Sequence, residues 1–161
     1  MNTCPAKIGV FVDVQNIYYT TRDAFGKPFN YRALWQILSL KDEILVANAY
    51  ATDRGDESQK KFQSALRHIG FNIKLKPYIQ RSDGSAKGDW DVGITVDVLD
   101  SVPSLDKIFL LSGDGDFDVL VEAVQNKHNV PVEIYGVPRL TADSLKRIVS
   151  RFHPITESLL I

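Results

Sequence analysis

Apolar runs alternate with amphipathic stretches along almost the whole chain. Five short runs rich in Val, Ile and Leu are typical of buried strands: residues 7–14, 43–50, 71–77, 107–111 and 131–135. Five stretches place apolar residues at helical spacing: residues 31–40, 56–69, 90–99, 117–126 and 140–149. The pattern therefore predicts a regular alternation of strand and helix.

This alternation predicts βαβ crossovers and an α/β fold. We expect a three-layer sandwich, in which a mainly parallel sheet of about five strands carries helices on both faces. The whole chain, residues 1–161, is predicted to form a single domain, because no linker, repeat or low-complexity tract interrupts it. In such sheets ligands bind at the carboxyl ends of strands, near the point where strand order reverses. Polar residues that follow the first and fourth strands are therefore the first candidates for chemistry.

The composition indicates the cellular compartment in which the protein is expected. No run approaches the ~18 apolar residues of a membrane span. The amino-terminal segment resembles a first strand more than a signal peptide, since Asp13 interrupts its apolar run. Cys4 is the single cysteine, which permits no internal disulfide and favours a reducing compartment. We therefore expect a cytoplasmic protein without a membrane partner.

Charge is distributed unevenly although the net charge is only −1. Residues 60–87 are mainly basic, whereas residues 89–118 carry eight aspartates and one lysine. A basic stretch beside an acidic cluster suits a polyanion held near a metal ion. Two unrelated solvated faces would give the same pattern, so charge alone does not decide between them.

Aspartates gather at three places near the predicted strand ends. Asp13 closes the first strand and is followed by Asn16, and a second group follows the fourth strand in the sequence SGDGDFD, residues 112–118. A third group surrounds the start of the predicted helix at residue 90. Each acid has a simpler explanation as a helix N-cap, where a carboxylate accepts backbone hydrogen bonds and favours the helix dipole. Asp97 is the exception, because it lies between Val96 and Val98 and needs a partner if buried.

Convergence of these acids would require a cation. Two carboxylates about 4 Å apart repel by roughly 4 kcal/mol at an effective dielectric near 20, so several such contacts demand protonation or a metal. Oxygen ligands without nearby His or Cys select Mg²⁺ or Mn²⁺ rather than zinc. Gly113 and Gly115 are expected to let the backbone turn tightly between the acids.

Other chemistries find less support in the sequence. The glycine pair lacks the third glycine of a dinucleotide-binding loop and the Lys-Ser/Thr of a P-loop. No Gly-x-Ser-x-Gly elbow occurs. The three histidines, His68, His128 and His153, lie far from the acidic motifs, which disfavours nucleophilic triads and zinc sites.

Three motifs together resemble the NYN-domain family, and most closely its bacterial LabA-like branch. They are VDVQN at residues 12–16, KGDWDVGITVDVL at 87–99 and LLSGDGDFDVLVEAV at 110–124, and they occur in the family's order. The resemblance implies a PIN-like nuclease fold, related to Rossmann-type sheets, with an acidic site that uses Mg²⁺ or Mn²⁺ to cut RNA. The expected reaction is metal-assisted hydrolysis of a phosphodiester bond.

The resemblance also implies roles for individual residues. The acids expected to hold the metal and to act in catalysis are Asp13, Asp91, Asp114 and Asp116. Supporting roles are expected for Asn16, Ser112, Asp89, Asp97 and Asp118. Asp97 is placed here because it lies six residues after Asp91, and the two do not share a face of a straight helix.

Substrate contacts are expected from basic and aromatic side chains. The candidates for holding phosphate are Lys87, Arg22, Arg81, Lys74 and Lys76, and those for stacking on bases are Tyr18, Tyr19 and Trp90. The aromatic residues have an alternative role in packing, which is the commoner role for a tyrosine pair after a strand or a tryptophan at a helix start.

Three rival functions remain open at this level. The first is an RNA-binding or regulatory module that keeps its acids without turnover. The second, a magnesium-dependent phosphatase or phosphotransferase, is disfavoured because Gln15 occupies the position where such enzymes usually carry a second aspartate. The third, a purely structural domain, is disfavoured by the density of acids at 112–118. A homodimer is also possible, through aromatic residues expected to be exposed near Phe25, Phe29 and Tyr31.

Overall fold

A six-stranded parallel sheet forms the centre of the protein. The computed structural model describes residues 4–77, 79–80, 86–87 and 90–161. The strands are β1 (Lys7–Asp13), β2 (Glu43–Asp53), β3 (Asn72–Pro77), β4 (Ile79–Gln80), β5 (Ala86–Lys87), β6 (Lys107–Leu111), β7 (Val132–Gly136) and β8 (Arg151–Pro154). The order in the sheet is β3-β2-β1-β6-β7-β8, and all neighbours are parallel. Strands β4 and β5 form a separate antiparallel pair.

Six α-helices connect these strands and cover both faces of the sheet. They are α1 (Val14–Phe25), α2 (Tyr31–Ser39), α3 (Glu57–Ile69), α4 (Asp91–Ser101), α5 (Asp118–Lys127) and α6 (Asp143–Ile148). Buried residues of α1, α2 and α3, such as Ile17, Leu34 and Leu66, belong to one apolar cluster. Those of α4, α5 and α6, such as Ile94 and Val121, belong to the second. The three-layer α/β sandwich predicted from the sequence is confirmed. None of the helices in the described ranges is long and apolar enough to cross a membrane.

The order of strands reverses between β1 and β6. From β1 the chain moves outward to β2 and β3, and it then returns to β6 beside β1 before moving out the other way. Val12 of β1 pairs with Leu111 of β6. The residues that follow Val12 and Leu111 are Asp13, the last residue of β1, and Ser112, the first residue after β6. They therefore lie next to each other at one edge of the sheet, which is where this type of sheet binds ligands.

Several elements differ from the sequence prediction. Strand β8 is a sixth strand that was not predicted, because only two of its four residues are even partly buried and it has no continuous apolar run. Helix α1 was also missed, since its buried face consists of just Val14, Ile17 and Thr21. The predicted helix at 140–149 shrinks to the six residues of α6, preceded by a 3₁₀ turn over Pro138–Leu140.

The aromatic residues expected on the surface are mostly buried, and that expectation was wrong. Phe29 is 4% exposed and Tyr31 7% exposed. Tyr31 packs edge-to-face against Phe29, Phe62 and Phe71, with ring centroids 4.9 to 6.0 Å apart. Edge-to-face packing gives these rings a favourable quadrupolar contact inside the protein. Phe29 and Tyr31 are therefore not exposed aromatic residues.

Candidate metal centre

Three aspartates from two separate parts of the chain meet beyond the carboxyl end of β6. Asp114 and Asp116 lie in the loop that follows this strand, and Asp91 is the first residue of α4. One carboxylate oxygen from each lies within 4.8 Å of the other two. Asp91 and Asp114 are partly buried, and Asp116 is exposed. Among the described residues, this trio is close enough to share one ion.

Local hydrogen bonds fix the loop that carries two of these acids. The Asp114 carboxylate accepts a hydrogen bond of 2.9 Å from the backbone N–H of Asp116, and so caps the 3₁₀ turn Gly115–Phe117. The backbone N–H of Asp114 in turn donates to Ser112 Oγ at 3.2 Å. Asp91 differs, since the residue before it, Trp90, provides no side-chain cap to α4. A negative charge in the first turn of α4 is nevertheless favoured by the helix dipole.

Asp13 is joined to this loop rather than to the trio itself. It is 9% exposed, and its Oδ2 accepts a hydrogen bond of 3.1 Å from Ser112 Oγ. Its Oδ1 caps α1 by accepting from the backbone N–H of Asn16 at 3.4 Å. The Asn16 side chain accepts from the backbone N–H of Gly113 at 2.9 Å. Asp13 therefore serves as an N-cap and also belongs to the hydrogen-bond network that holds the loop carrying Asp114 and Asp116.

Gly113 is required for packing and not for a turn. Neither Gly113 nor Gly115 has a positive φ angle, so the 3₁₀ turn Gly115–Phe117 does not depend on a backbone conformation reserved for glycine. A Cβ at Gly113 would lie 2.6 Å from the carbonyl oxygen of Leu140 and 3.0 Å from the Cα of Thr141. Because backbone atoms cannot swing away, no side chain fits there. The loop after β6 and the chain near residue 140 are thereby pressed together.

Asp97 lies outside the trio and has its own partners. Its Oδ2 accepts 2.7 Å hydrogen bonds from Lys74 Nζ and from the Tyr50 hydroxyl, to which the Asn48 amide also donates at 3.1 Å. Burial, followed by the hydrogen bond to Asp97, raises the pKa of Tyr50 far above its ordinary value. The hydroxyl therefore stays a donor. Asp97 is paired, as its apolar neighbours required, and it does not belong to the trio.

Trp90 is held by packing at the start of α4. Its indole N–H donates to the carbonyl oxygen of Ala51 at 2.9 Å, and its ring centroid is 5.3 Å from that of Tyr50. Lys76 Nζ lies 4.6 Å from the ring centroid, within the range of a cation–π contact. A Cβ at Gly93 would lie 2.5 Å from the ring. Trp90 thus positions Asp91, and its predicted contact with bases stays a prediction.

The structure describes the side chains of some of the remaining predicted residues and not those of others. Tyr18 is 51% exposed on α1, and its hydroxyl accepts from Arg22 Nη1 at 3.3 Å, so both are open to a ligand. Asp118, the first residue of α5, has one buried carboxylate oxygen that finds no partner in the described part of the chain. Asp89 and Arg81 lie outside the described residues, and Lys87 is described only as backbone of β5. The catalytic and substrate roles assigned to all these residues remain predictions.

Sequence reasoning missed the two polar residues of β2 that form a hydrogen-bonded chain to Asp97. Asn48 is 6% exposed and Tyr50 is fully buried, yet both lie within a strand that reads as apolar. An asparagine inside such a strand was the available signal, because a buried amide needs a hydrogen-bond partner.

The fold and site together define a class: a doubly wound α/β domain with an acidic cluster at its switch point that could hold a metal ion. The donor set fits Mg²⁺ or Mn²⁺, since the trio offers hard oxygen ligands and no His or Cys belongs to it. The unpartnered oxygen of Asp118 adds a buried acceptor to the same loop region.

The profile of the NYN domain family matches residues 7–156, and the chain belongs to this family of PIN-like nucleases. The resemblance drawn from the three motifs is confirmed. The chain is 26% identical over 156 residues to Low amplitude and bright protein LabA of Synechococcus elongatus, covering 92% of this chain and 83% of that one.

Two solved structures have a similar fold. A crystal structure of a protein of unknown function from Vibrio parahaemolyticus RIMD 2210633 is 46% identical, with a TM-score of 0.94 and full coverage of both chains. A ribokinase from Giardia lamblia is similar at a TM-score of 0.51 and 12% identity, over 94% of this chain and 58% of that one. The second likeness concerns the α/β fold alone.

Proposed function

We propose that this protein is a metal-dependent ribonuclease that hydrolyses RNA phosphodiester bonds at the aspartate trio. The observation that carries the proposal is the approach of Asp91, Asp114 and Asp116 to within 4.8 Å at the carboxyl edge of the sheet. Three carboxylates at this spacing favour a bound cation over mutual repulsion. Membership of a nuclease family supplies the reaction class.

Each acid has a part that follows from its place. Asp91, Asp114 and Asp116 would hold Mg²⁺ or Mn²⁺, which supplies charge neutralisation at the phosphoryl oxygen and lowers the pKa of water. Asp13 is held by a hydrogen bond from Ser112 at the neighbouring strand end, and its carboxylate would orient the attacking water or help to hold a second ion. Asn16 holds the loop through Gly113 and thereby maintains the spacing of the two loop acids.

A polyanionic substrate suits the surroundings of the trio. Lys76 lies over Trp90, which directly precedes Asp91, and Arg22 lies with Tyr18 on α1, the helix that begins after Asp13. Cationic and aromatic side chains beside an acidic site are the usual means of holding a nucleic acid backbone and its bases. The exposed single cysteine, Cys4, is compatible with a reducing compartment, and we place the activity in the cytoplasm.

The direct test is cleavage of labelled single-stranded RNA by purified protein with Mn²⁺ or Mg²⁺. We expect cleavage that EDTA abolishes and that Asp114→Asn reduces by at least 100-fold, as loss of a metal ligand commonly does. Asp100→Asn is the matched control, because Asp100 is an exposed acid on α4 outside the trio. Cleavage that survives both EDTA and Asp114→Asn would come from a contaminating nuclease. RNA binding without any turnover would instead support a regulatory module and overturn the proposal.

A further inference from the structure

A cavity of about 640 Å³ opens beside Val14, the residue that follows Asp13. It is lined by the first two turns of α1, including Gln15 and Tyr18, by the end of β2 and by the first half of α3. Its volume lies within the roughly 300–1,000 Å³ of small-molecule sites. The carbonyl oxygen of Ala51, a lining residue in β2, accepts a hydrogen bond from the indole of Trp90, which directly precedes Asp91. The cavity therefore adjoins both Asp13 and the start of α4.

Two mostly buried polar side chains line this cavity. Gln63 and Tyr31 are each 7% exposed, and within the described residues no side-chain hydrogen bond involves the Gln63 amide or the Tyr31 hydroxyl. Among the described residues, the enclosed polar atom that lacks a partner belongs to Asp118, so the polar atoms of Gln63 and Tyr31 face open space. In the cavity they can hydrogen-bond a ligand that has donors and acceptors of its own.

Tyr31 also connects the cavity with the catalytic edge. Burial first, and then the charge of Asp13, raise the pKa of the Tyr31 phenol well above its ordinary value. The hydroxyl therefore remains protonated and available as a donor, and it lies within electrostatic reach of Asp13. A ligand in the cavity would thus be adjacent to the acid that completes the site.

The other walls are aromatic. Phe62 and Tyr18 present rings to the cavity, and Arg54 lies at the same wall as the start of α3. Rings beside an amide with both a donor and an acceptor suit a planar heterocycle, which stacks on the rings and pairs with the amide along one edge. Purely aliphatic ligands would leave the Gln63 amide unsatisfied.

We propose that this cavity binds one unstacked base of single-stranded RNA next to the bond that is cut, with Gln63 and Tyr31 as hydrogen-bonding partners. The inference rests on the proposed ribonuclease function and specifies its substrate class. A base enters such a cavity only when it is free of its helix, so paired RNA is excluded at this position. The site therefore selects single strands, loops or ends.

The first test measures binding without cleavage. Nucleoside 5′-monophosphates and ribose 5-phosphate are titrated into the protein in EDTA and followed by tyrosine fluorescence and NMR. We expect the nucleotides to bind at least tenfold tighter than ribose 5-phosphate, because stacking of a base contributes about 1–3 kcal/mol. Gln63→Met and Tyr31→Phe should each weaken nucleotide binding severalfold, while Gln36→Met, the same change on an exposed face of α2, should have no effect. Equal binding of the nucleotides and ribose 5-phosphate would overturn the inference.

The second test separates this inference from the ribonuclease proposal. Single abasic riboses are moved one position at a time through a cleavable RNA, and KM is measured for each. We expect one fixed position relative to the cut to raise KM at least tenfold, and Gln63→Met to reduce that effect. Cleavage that tolerates an abasic ribose everywhere would overturn the base site and leave the ribonuclease intact. Nucleotide binding lost in Gln63→Met, without any RNA cleavage, would support the base site and overturn the ribonuclease.

Discussion

Ser112 donates a hydrogen bond of 3.1 Å to Asp13, and this contact joins residues that lie 99 positions apart. It connects the end of β1 with the end of β6 across the switch point of the sheet. Ser112 has no exposed surface, and the same hydroxyl accepts from the backbone N–H of Asp114. One buried hydroxyl thus links a catalytic candidate to the loop that carries two metal-binding candidates.

Ser112→Ala should therefore affect both stability and metal binding. The change removes the hydrogen bond from Ser112 to the carboxylate of Asp13, and a hydrogen bond to a charged group contributes about 1.5–3 kcal/mol. We also expect roughly tenfold weaker binding of Mn²⁺, since groups that orient metal ligands commonly contribute that much. Chemical denaturation and metal titration measure the two effects. Ser39→Ala, at an exposed hydroxyl on α2, is the control, and wild-type metal affinity in Ser112→Ala would contradict the role assigned to this bridge.

The effect of Asp116→Asn on the melting temperature should change sign when metal is added. Without a cation, the substitution relieves repulsion within the trio and raises the melting temperature. With saturating Mn²⁺ the wild type should be the more stable protein, because an ion at 100 times its Kd contributes about 2.7 kcal/mol to the folded state. Thermal unfolding with Mn²⁺ or with EDTA measures both conditions. If millimolar Mn²⁺ does not change the melting temperature of the wild type, the three acids do not share an ion.

Substitutions of Asp91 and Asp97 should have different effects on the stabilisation by metal in the same thermal unfolding assay. Asp91→Asn is expected to abolish the stabilisation by metal, whereas Asp97→Asn should preserve it. Asp97→Asn should instead lower the free energy of unfolding by about 1–2 kcal/mol, because the Tyr50 hydroxyl and Lys74 lose a charged acceptor. Equal loss of the metal response in both variants would place Asp97 among the ligands, against its contacts in the structure.

Gly113 and Gly115 form a matched pair for a packing test. Gly113→Ala sets a methyl group 2.6 Å from a backbone oxygen and should destabilise the fold by about 1–3 kcal/mol. Gly115→Ala meets only side-chain atoms, the nearest at 3.0 Å, and should cost clearly less. Denaturant midpoints of the two variants provide the comparison. If Gly115→Ala destabilises the fold more than Gly113→Ala, the loop, and not the chain near residue 140, adjusts to the added methyl group.

Glu133 should make stability sensitive to acid. Burial alone would raise the pKa of this carboxyl, but hydrogen bonds from Lys107 and His153 outweigh it and lower the pKa. A lowered folded-state pKa contributes stability above the unfolded value of about 4.5, and that stability is lost as pH falls through the lower folded value. Glu133→Gln should therefore flatten the loss of stability below pH 4.5, as measured by denaturation at a series of pH values. If Glu133→Gln leaves the loss of stability below pH 4.5 unchanged, Glu133 is not the source of that loss.

Much of the fold was predictable because it follows from local patterns. Buried strands such as β1 and β6 are continuous apolar runs, and helices such as α3 carry a clear apolar face. Strand β8 and helix α1 were not predicted, because their burial is partial and depends on neighbours that are distant in sequence. Local patterns do not record such neighbours.

The acidic loop after β6 and its oxygen chemistry were determined by the sequence itself. The rule for parallel sheets, together with the identity of the side chains, was enough to place Asp114 and Asp116 at a ligand-binding edge. Tertiary structure alone decided that Asp91 joins them while Asp97 turns to Lys74, because the packing of α4 against the sheet sets which side of the helix faces the edge. It also decided that Gln63 and Tyr31 share a cavity beside Asp13, since residues from different helices meet only when the chain is folded.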